Sequence, residues 1–439
     1  MKQYKSYKES GIEWLGQIPS HWNIVHIKNF FQVISGATPD SSNTNYWDGD
    51  IKWITPADFK TSDHFVSTGK RNITEEGYNS CGTSLVPAGS LIFSKRAPIG
   101  TVAISSNVLC TNQGCLSCVP FEKICYSPYY YYLFSVLTEA FEMLGSGSTF
   151  LEISANNFSN FPISAPPFKE QQTIAAYLDY KVSQIDAAIT EKEQMLEDLK
   201  EYRSSIIHEA VTKGLDKNVE MKDSGLDWIG RIPQHWHLNR LKYFSSVSTG
   251  STPSTSVEKY WDNATEDWYT PSDFNEDNIH LESSSRKVSN AAFNEAACRV
   301  FKEGVVLVVG IGATLGKVGI SNHYCSANQQ INAIEFSETV VPLYGAYYLS
   351  SMKEVMKSVA NSATLAIMNQ SVTGDLPFLC PPIEEQNRII SFLEDKISTI
   401  RASIGEIQSQ IEDLKAYKSS LISESVTGKV DLSDWKHND

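Results

Sequence analysis

The chain has 439 residues, roughly three times a typical domain, so two or more domains are expected. Its 41% hydrophobic and 20% charged content excludes a disordered or fibrous protein. No run approaches the roughly 20 apolar residues of a membrane span. The polar opening MKQYKSYKES does not read as a secretory leader, so a cytoplasmic setting with no membrane partner is expected. A net charge of −14 opposes broad attraction to polyanions; any nucleic-acid face has to be local, or completed by a basic partner.

An internal repeat organises the chain. KESGIEWLGQIPSHWNIVHIKNFFQVISGATPDSSNTNYWD at 8–48 returns as KDSGLDWIGRIPQHWHLNRLKYFSSVSTGSTPSTSVEKYWD at 222–262, with nearly half the positions identical at an offset of 214. The match continues through Trp53–Phe59 against Trp268–Phe274 and Asn112-Gln113 against Asn328-Gln329. Pro166-Pro167 then matches Pro381-Pro382, and Glu209–Thr212 matches Glu424–Thr427. Between these landmarks, from about 60 to 85 and 115 to 165, the copies diverge. A shared frame has been written twice around two different interiors.

In chain order, residues 1–165 mix short apolar runs such as Ser90–Phe93 with turns rich in Gly, Pro, Asn and Ser. The pattern predicts short strands with a few helices, an α+β domain. Tyr129–Leu144 is predicted helical, with its tyrosines in the core rather than stacking on bases. Pro166-Pro167 stops the preceding strand, and 166–220 follows as a long helix: Glu170–Lys213 contains no proline or glycine. Leu178, Ile185, Leu199 and Ile206 fall on one heptad line, with Val182, Ile189 and Leu196 beside it.

The second copy repeats the scheme, with a globular part at 221–380, an apolar run at Val305–Val309 and a predicted helix at Tyr344–Val359. Its helical part, 381–439, carries Leu393, Ile400, Ile407, Leu414 and Leu421 on the heptad line, with Ile397, Ile404 and Ile411 alongside. Lys192, aligned with Ile407, is the one charged intruder. Two matched seams predict that the helices pair as a coiled coil. Paired antiparallel, they relate the copies by a pseudo-twofold axis, and ~40 residues at ~1.5 Å each form a spacer of roughly 60 Å. The segments 168–220 and 381–439 each hold 7 basic and 11 acidic residues, so −8 of the −14 lies in the helices.

The eight cysteines are sparse and expected to be reduced. Cys115-x-x-Cys118, with Cys110 and Cys125 near, suggests a zinc site. The repeat argues against it, because Cys115 and Cys118 align with Ile331 and Ile334, which marks buried apolar positions. No metal or cofactor is expected.

The whole chain resembles the specificity subunits of type I restriction-modification systems. The resemblance rests on the doubled opening [KE]-x-S-G-[IL]-x-W-[LI]-G-x-[IV]-P-x-H-W (Lys8–Trp22, Lys222–Trp236) and on Gly-x-Thr-Pro at 36–39 and 250–253. It rests also on Gly312-Ala-Thr-Leu-Gly-Lys317, on Pro-Pro-x-x-Glu-Gln at 166–171 and 381–386, and on the endings Val211-Thr-Lys-Gly214 and Val426-Thr-Gly-Lys429. It implies two DNA target-recognition domains that read the halves of a split, asymmetric site in double-stranded DNA. It also implies shared helices that set the spacing and dock methyltransferase subunits, with translocase-nuclease subunits completing the complex. The first copy departs from the glycine-rich form at Lys95-Arg96-Ala97-Pro98-Ile99-Gly100.

Enzyme readings do not fit. Gly312–Lys317 lacks the first glycine and the terminal hydroxyl of a phosphate-binding loop, having Ile311 and Val318 there. Ala165-Pro-Pro-Phe168 and Cys380-Pro-Pro-Ile383 lack the polar residue that an amino-methyltransferase loop needs. His21 and His235, repeated in the frame, are read as structural. A reader of DNA without a catalytic centre fits better than a methyltransferase with its own recognition domain or a coiled-coil scaffold. Candidate DNA-contacting cations are Lys70, Arg71, Lys95, Arg96, Arg286, Lys287, Arg299 and Lys317. Polar loop candidates are Thr38, Asn112, Gln113, Ser148, Thr149, Thr252, Asn328, Gln329 and Thr364. The Asn-Gln pairs are equally frame elements, since both copies keep them.

Overall fold

In the computed structural model, which describes residues 2–145, 151–360 and 366–436, the apolar runs become central strands. The chain divides into two units, Met1–Lys192 with Gln410–Asp439, and Glu193–Ser409.

In the first unit, Leu91–Ser94 lies in a five-stranded sheet, ordered Phe31–Ser35, Cys115–Pro120, Leu91–Ser94, Val102–Ser105, Phe65–Val66. All neighbours are antiparallel except the last pair. Both faces are covered, which is why the run is apolar at successive rather than alternate positions. Leu91 and Phe93 face a core shared with the helix Ser127–Ser135, whereas Ile92 faces a second core with Ile54, Phe59 and Val66. The alternation also places the cysteines: Cys118 belongs to the first core and Cys115 to the second, on opposite faces of one strand. They cannot meet one ion, and burial pushes both thiols up. Among the described residues no group of three or more His, Cys, Asp or Glu is placed to hold a metal.

A smaller sheet, Cys110–Thr111, Trp47–Ile54 and Asn72–Ile73, carries Trp47 and Trp53. The second unit repeats the topology. Its five strands run Ser245–Thr249, Ile331–Phe336, Val305–Val309, Val318–Ser321, His280–Leu281, again with one parallel pair at the edge. Its smaller sheet gains Val300–Phe301 as a fourth strand.

The helix expected over Tyr129–Leu144 is two helices, Ser127–Ser135 and Thr138–Glu142, and that expected over Tyr344–Val359 is Pro342–Ser350 and Lys353–Val359. Pro128 and Pro342 seat the starts earlier than the aromatic run suggests. The break at Val136 and Leu137, closed by bonds to carbonyls three residues back, turns Phe141 into the core against Phe93 and Phe158. Tertiary burial here overrides local helix continuity. Tyr129, Tyr130, Tyr131 and Tyr132 are all buried, so none is available to stack on a base.

The long helices are Phe168–Lys213 and Ile383–Val426, and each contributes one part to each unit. In the first unit Lys192 Nζ donates to Gln410 Oε1 at 2.6 Å, and Lys418 Nζ meets Asp186 at 2.6 and 2.8 Å. Numbers rise along one helix as they fall along the other, so the pairing is antiparallel. Lys192, the intruder, thus reaches across the seam to a polar group. In the second unit Ile206 and Val211 of the first helix share a core with Leu393 and Ile397 of the second. Each helix start is tied to its domain by the Pro-Pro-x-x-Glu-Gln motif. The Gln171 carboxamide accepts from Tyr126 N–H and donates to the Ile124 and Pro166 carbonyls, and Gln386 does the same with Val341, Thr339 and Pro381. No helix among the described residues is long and apolar enough to cross a membrane.

Candidate nucleic-acid interface

The Gly-x-Thr-Pro loop is built identically in both units. In the first, Trp53 Nε1 donates to the Ala37 carbonyl at 3.0 Å and Trp47 Nε1 to the Asp40 carbonyl at 3.2 Å, the two indoles standing edge to face. In the second, Trp268 and Trp261 hold the Ser251 and Ser254 carbonyls at 3.0 and 3.2 Å. The loop hydroxyl then reaches the Asn-Gln turn: Thr38 donates to Gln113, and Thr252 to Gln329 at 2.5 Å.

Glycine is required at the head of the loop because it presses on that same turn. A Cβ at Gly36 would collide with the Thr111 and Asn112 carbonyls, and one at Gly250 with those of Ala327 and Asn328. Gly250→Ala is expected to cost about 1–3 kcal/mol through the backbone shift it forces. An unchanged thermal midpoint would show that the loop can move away freely.

The aspartate of Trp-x-Thr-Pro-x-Asp-Phe joins this loop system to a cationic segment. Asp58 accepts from Thr55 N and Oγ1 at 2.8 and 2.7 Å and from Lys70 N at 2.9 Å. Asp273 accepts from Thr270 N and Oγ1 at 2.7 and 2.9 Å and from Ser285 N at 2.7 Å. Burial alone would raise the Asp273 pKa; the donors of Ser285 and Thr270 outweigh it and hold the carboxyl below its ordinary value. The segment so anchored carries Arg71 in one unit and Arg286 in the other. The Arg71 guanidinium lies 3.9 Å from the centre of a Trp47 ring, and Arg286 lies 5.2 and 5.1 Å from rings of Trp261 and Trp268. At exposed positions such stacking is worth roughly 0.5–1 kcal/mol.

The remaining cationic candidates differ in what they already touch. Lys70 is exposed. Lys95 and Arg96 both pair with Glu152 at 2.8 Å. Lys287 lies 3.1 Å from Asp267. Lys317 donates to the Phe274 carbonyl at 3.0 Å, and Arg299 to the Thr249 carbonyl at 3.3 Å. Asn112 and Asn328 use their side-chain carbonyls to accept from Gly114 N and Gln330 N within their own turns, whereas Gln113 and Gln329 are exposed. Ser148, Thr149 and Thr364 lie outside the described residues. The divergent loops nonetheless share an anchor: Arg96 bridges Glu152 in the first unit as Ile311 bridges Ile367 in the second.

In the second unit these parts surround a concavity of about 520 Å³ lined by Thr270, Ser272, Arg286, Thr314, Asn328 and Gln330. Donors, acceptors and one cation converge there, as recognition of a polar, anionic ligand requires. The tryptophans and Asp58 and Asp273 were not among the sequence candidates, although the doubled motif that contains them was visible.

The second unit also has a charge cluster at Asp267, where the first has Lys52. Asp267 accepts from Ser284 N at 2.7 Å and Oγ at 2.9 Å, and His323 Nε2 lies 2.7 Å away. Burial raises its pKa, but the Ser284 donors, Lys287 and His323 prevail and bring it from 3.8 to about 2. A depressed carboxylate stabilises the fold above its unfolded pKa and loses that contribution as pH falls through the folded value. Asp267→Asn is therefore expected to destabilise near neutral pH and to converge on the wild type between 3.8 and about 2. A difference in melting temperature that stays constant across that window would rule the cluster out as a stabilising one.

Comparison with known proteins places this geometry in a family. The sequence pattern described as "Type I restriction modification DNA specificity domain" matches residues 19–198 and again 233–413. The specificity subunit of the type I restriction enzyme MjaIX of Methanocaldococcus jannaschii is 29% identical over 437 residues, covering 98% of this chain and 97% of that protein. The EcoR124I/EcoR124II specificity subunit of Escherichia coli is 27% identical over 197 residues, covering 43% of this chain and 45% of that one. Among solved structures, a chain from a study of complex assembly and conformational transition of the type I R-M system superposes with a TM-score of 0.76 at 16% identity, covering 94% of this chain and 99% of that one. The HsdS subunit from Thermoanaerobacter tengcongensis gives 0.54 at 16% identity, covering 94% and 98%. With both halves matched, most of its length covered and the fold shared, the chain belongs to the type I restriction modification DNA specificity family.

Proposed function

We propose that this chain is the sequence-reading subunit of a type I restriction-modification complex, binding a bipartite, asymmetric site in double-stranded DNA. Its recognition domains are 1–165 and 221–380, and the helical segments 166–220 and 381–439 dock methyltransferase subunits. Methylation, translocation and cleavage come from the partners, and the assembly works in the cytoplasm. The observation that carries this reading is the loop system built twice on the same tryptophans and aspartate, around interiors that differ. A common scaffold with divergent surroundings is what two half-sites of different sequence call for.

The test is selection from a randomised duplex library by the chain co-expressed with the methyltransferase of its own locus. Two short conserved blocks separated by a fixed unconserved gap are expected. A stable complex that recovers no motif would favour a protein-binding scaffold instead. On this reading, adding one heptad to both helices keeps their seam in register and changes the preferred gap but not the blocks; an unchanged gap would mean that the helices do not set it.

A further inference from the structure

The two domains have diverged where they should read different bases, yet each keeps one arginine in cation–π contact with an indole beside the Gly-x-Thr-Pro loop. We infer that Arg71 and Arg286 grip the phosphodiester backbone of their respective half-sites, supplying affinity that is independent of sequence. The inference rests on the DNA-reading function proposed above and assigns to these residues what that function leaves open.

Three observations carry it. The first is the equivalence of the arginines: they sit 215 positions apart, as do Trp53 and Trp268, on segments tied by Asp58 and Asp273 to the same turn. What two different half-sites share is their phosphates, not their bases. The second is charge. Lys95 and Arg96 are taken up by Glu152 and Lys287 by Asp267, whereas among the described residues neither Arg71 nor Arg286 forms an ion pair. Both are exposed. An exposed guanidinium without an acidic partner keeps its charge available to an anion. The third is the contact with the indoles. Each guanidinium lies within cation–π distance of an indole, at 3.9 Å for Arg71 and 5.1–5.2 Å for Arg286, and among the described residues its N–H donors carry no acidic partner, which leaves the planar fork to match two phosphate oxygens. The cation–π contact also restricts the side chain before DNA arrives, so less freedom is lost on contact.

A purely structural stack, or a base-reading arginine, predicts different behaviour. The experiment uses the full chain in complex with its methyltransferase and compares wild type with Arg71→Ala, Arg286→Ala, the double variant, and Arg71→Lys with Arg286→Lys. Affinities for the selected duplex and for a scrambled duplex are measured as salt rises from 50 to 200 mM. Each alanine variant is expected to lower the slope of log affinity against log salt by about 0.9, so that affinity falls about 3.5-fold less across this range. The double variant should lose twice that slope. Both duplexes should weaken by the same factor, and the recovered motif should not change. The lysine pair, which keeps the charge, should retain most of the slope.

Wild-type slopes in the alanine variants would overturn the inference while leaving the DNA-reading function intact. A motif altered at one base pair would overturn it too, by making the arginine a base reader. Wild-type complex that binds neither duplex would overturn both readings. Melting temperatures of the variants separate these outcomes from misfolding, and the lysine variants keep the slope measurement available if an alanine variant unfolds.

Discussion

Trp236→Ala is expected to cost the second unit about 3–5 kcal/mol, the range for emptying a buried aromatic site. Trp236 is fully buried, in a core with Ile232, Val211 and Leu393, and its ring closes over Gly214 at the end of the first long helix. Its Nε1 donates to Glu385 Oε2 at 2.9 Å while His235 Nε2 lies 2.7 Å from Oε1. The His-Trp pair and the Pro-Pro-x-x-Glu-Gln motif are thus two halves of one joint between domain and helix. Alanine empties the ring site and leaves Glu385 with a single side-chain donor. Trp236→Phe keeps much of the ring and removes only the N–H, so its cost should fall to about 1–3 kcal/mol. The first unit offers an internal comparison. Trp22 donates to Glu170 at 3.1 Å, but there Tyr4 and His21 also reach the carboxylate, at 2.5 and 2.9 Å. Removing one donor of three should matter less, so Trp22→Phe is expected to be milder than Trp236→Phe. Urea unfolding of the two phenylalanine variants checks this, and a larger loss at Trp22 would mean that packing rather than the carboxylate controls the joint.

Features with a sequence period or an internal copy are legible in the sequence. The heptads of the long helices and the doubled α+β frame each rest on a pattern that local physics must repeat. What escaped depends on contacts between residues without a fixed spacing. Arg71 meets Trp47 from 24 positions away, and Lys95 and Arg96 share Glu152 from more than 50, through a loop in which the copies have little sequence in common. The break after Ser135 follows from Phe141 seeking the Phe93 core, which no helix propensity contains. The compact units also cross the linear order of the chain. Antiparallel pairing gives Gln410–Asp439 to the first unit, because a helix buries its seam against whichever partner lies beside it rather than against its neighbours in sequence.

The same reasoning ranks the seam positions. Leu393 and Leu178 are fully buried where each helix leaves its domain, while Leu199 and Ile206 remain half-buried further along the first helix. On the second helix Ile400, Ile407 and Leu421 are buried and Leu414 is half-buried. Leucine-to-alanine losses grow with the cavity that the surroundings cannot refill, within about 2–5 kcal/mol for buried sites. Leu393→Ala and Leu178→Ala are therefore expected near the upper end of that range, because core from both the domain and the partner helix surrounds each side chain. Leu199→Ala, with water already at one side, should fall at or below about 2 kcal/mol. The comparison bears on function as well. If the helices are held mainly at their domain joints, their middles can tolerate substitution, and an inserted heptad there should fold. Equal losses at Leu178, Leu199 and Leu393 in urea unfolding would instead mean that the whole seam forms one cooperative core, and the heptad insertion would then have to be made at a joint.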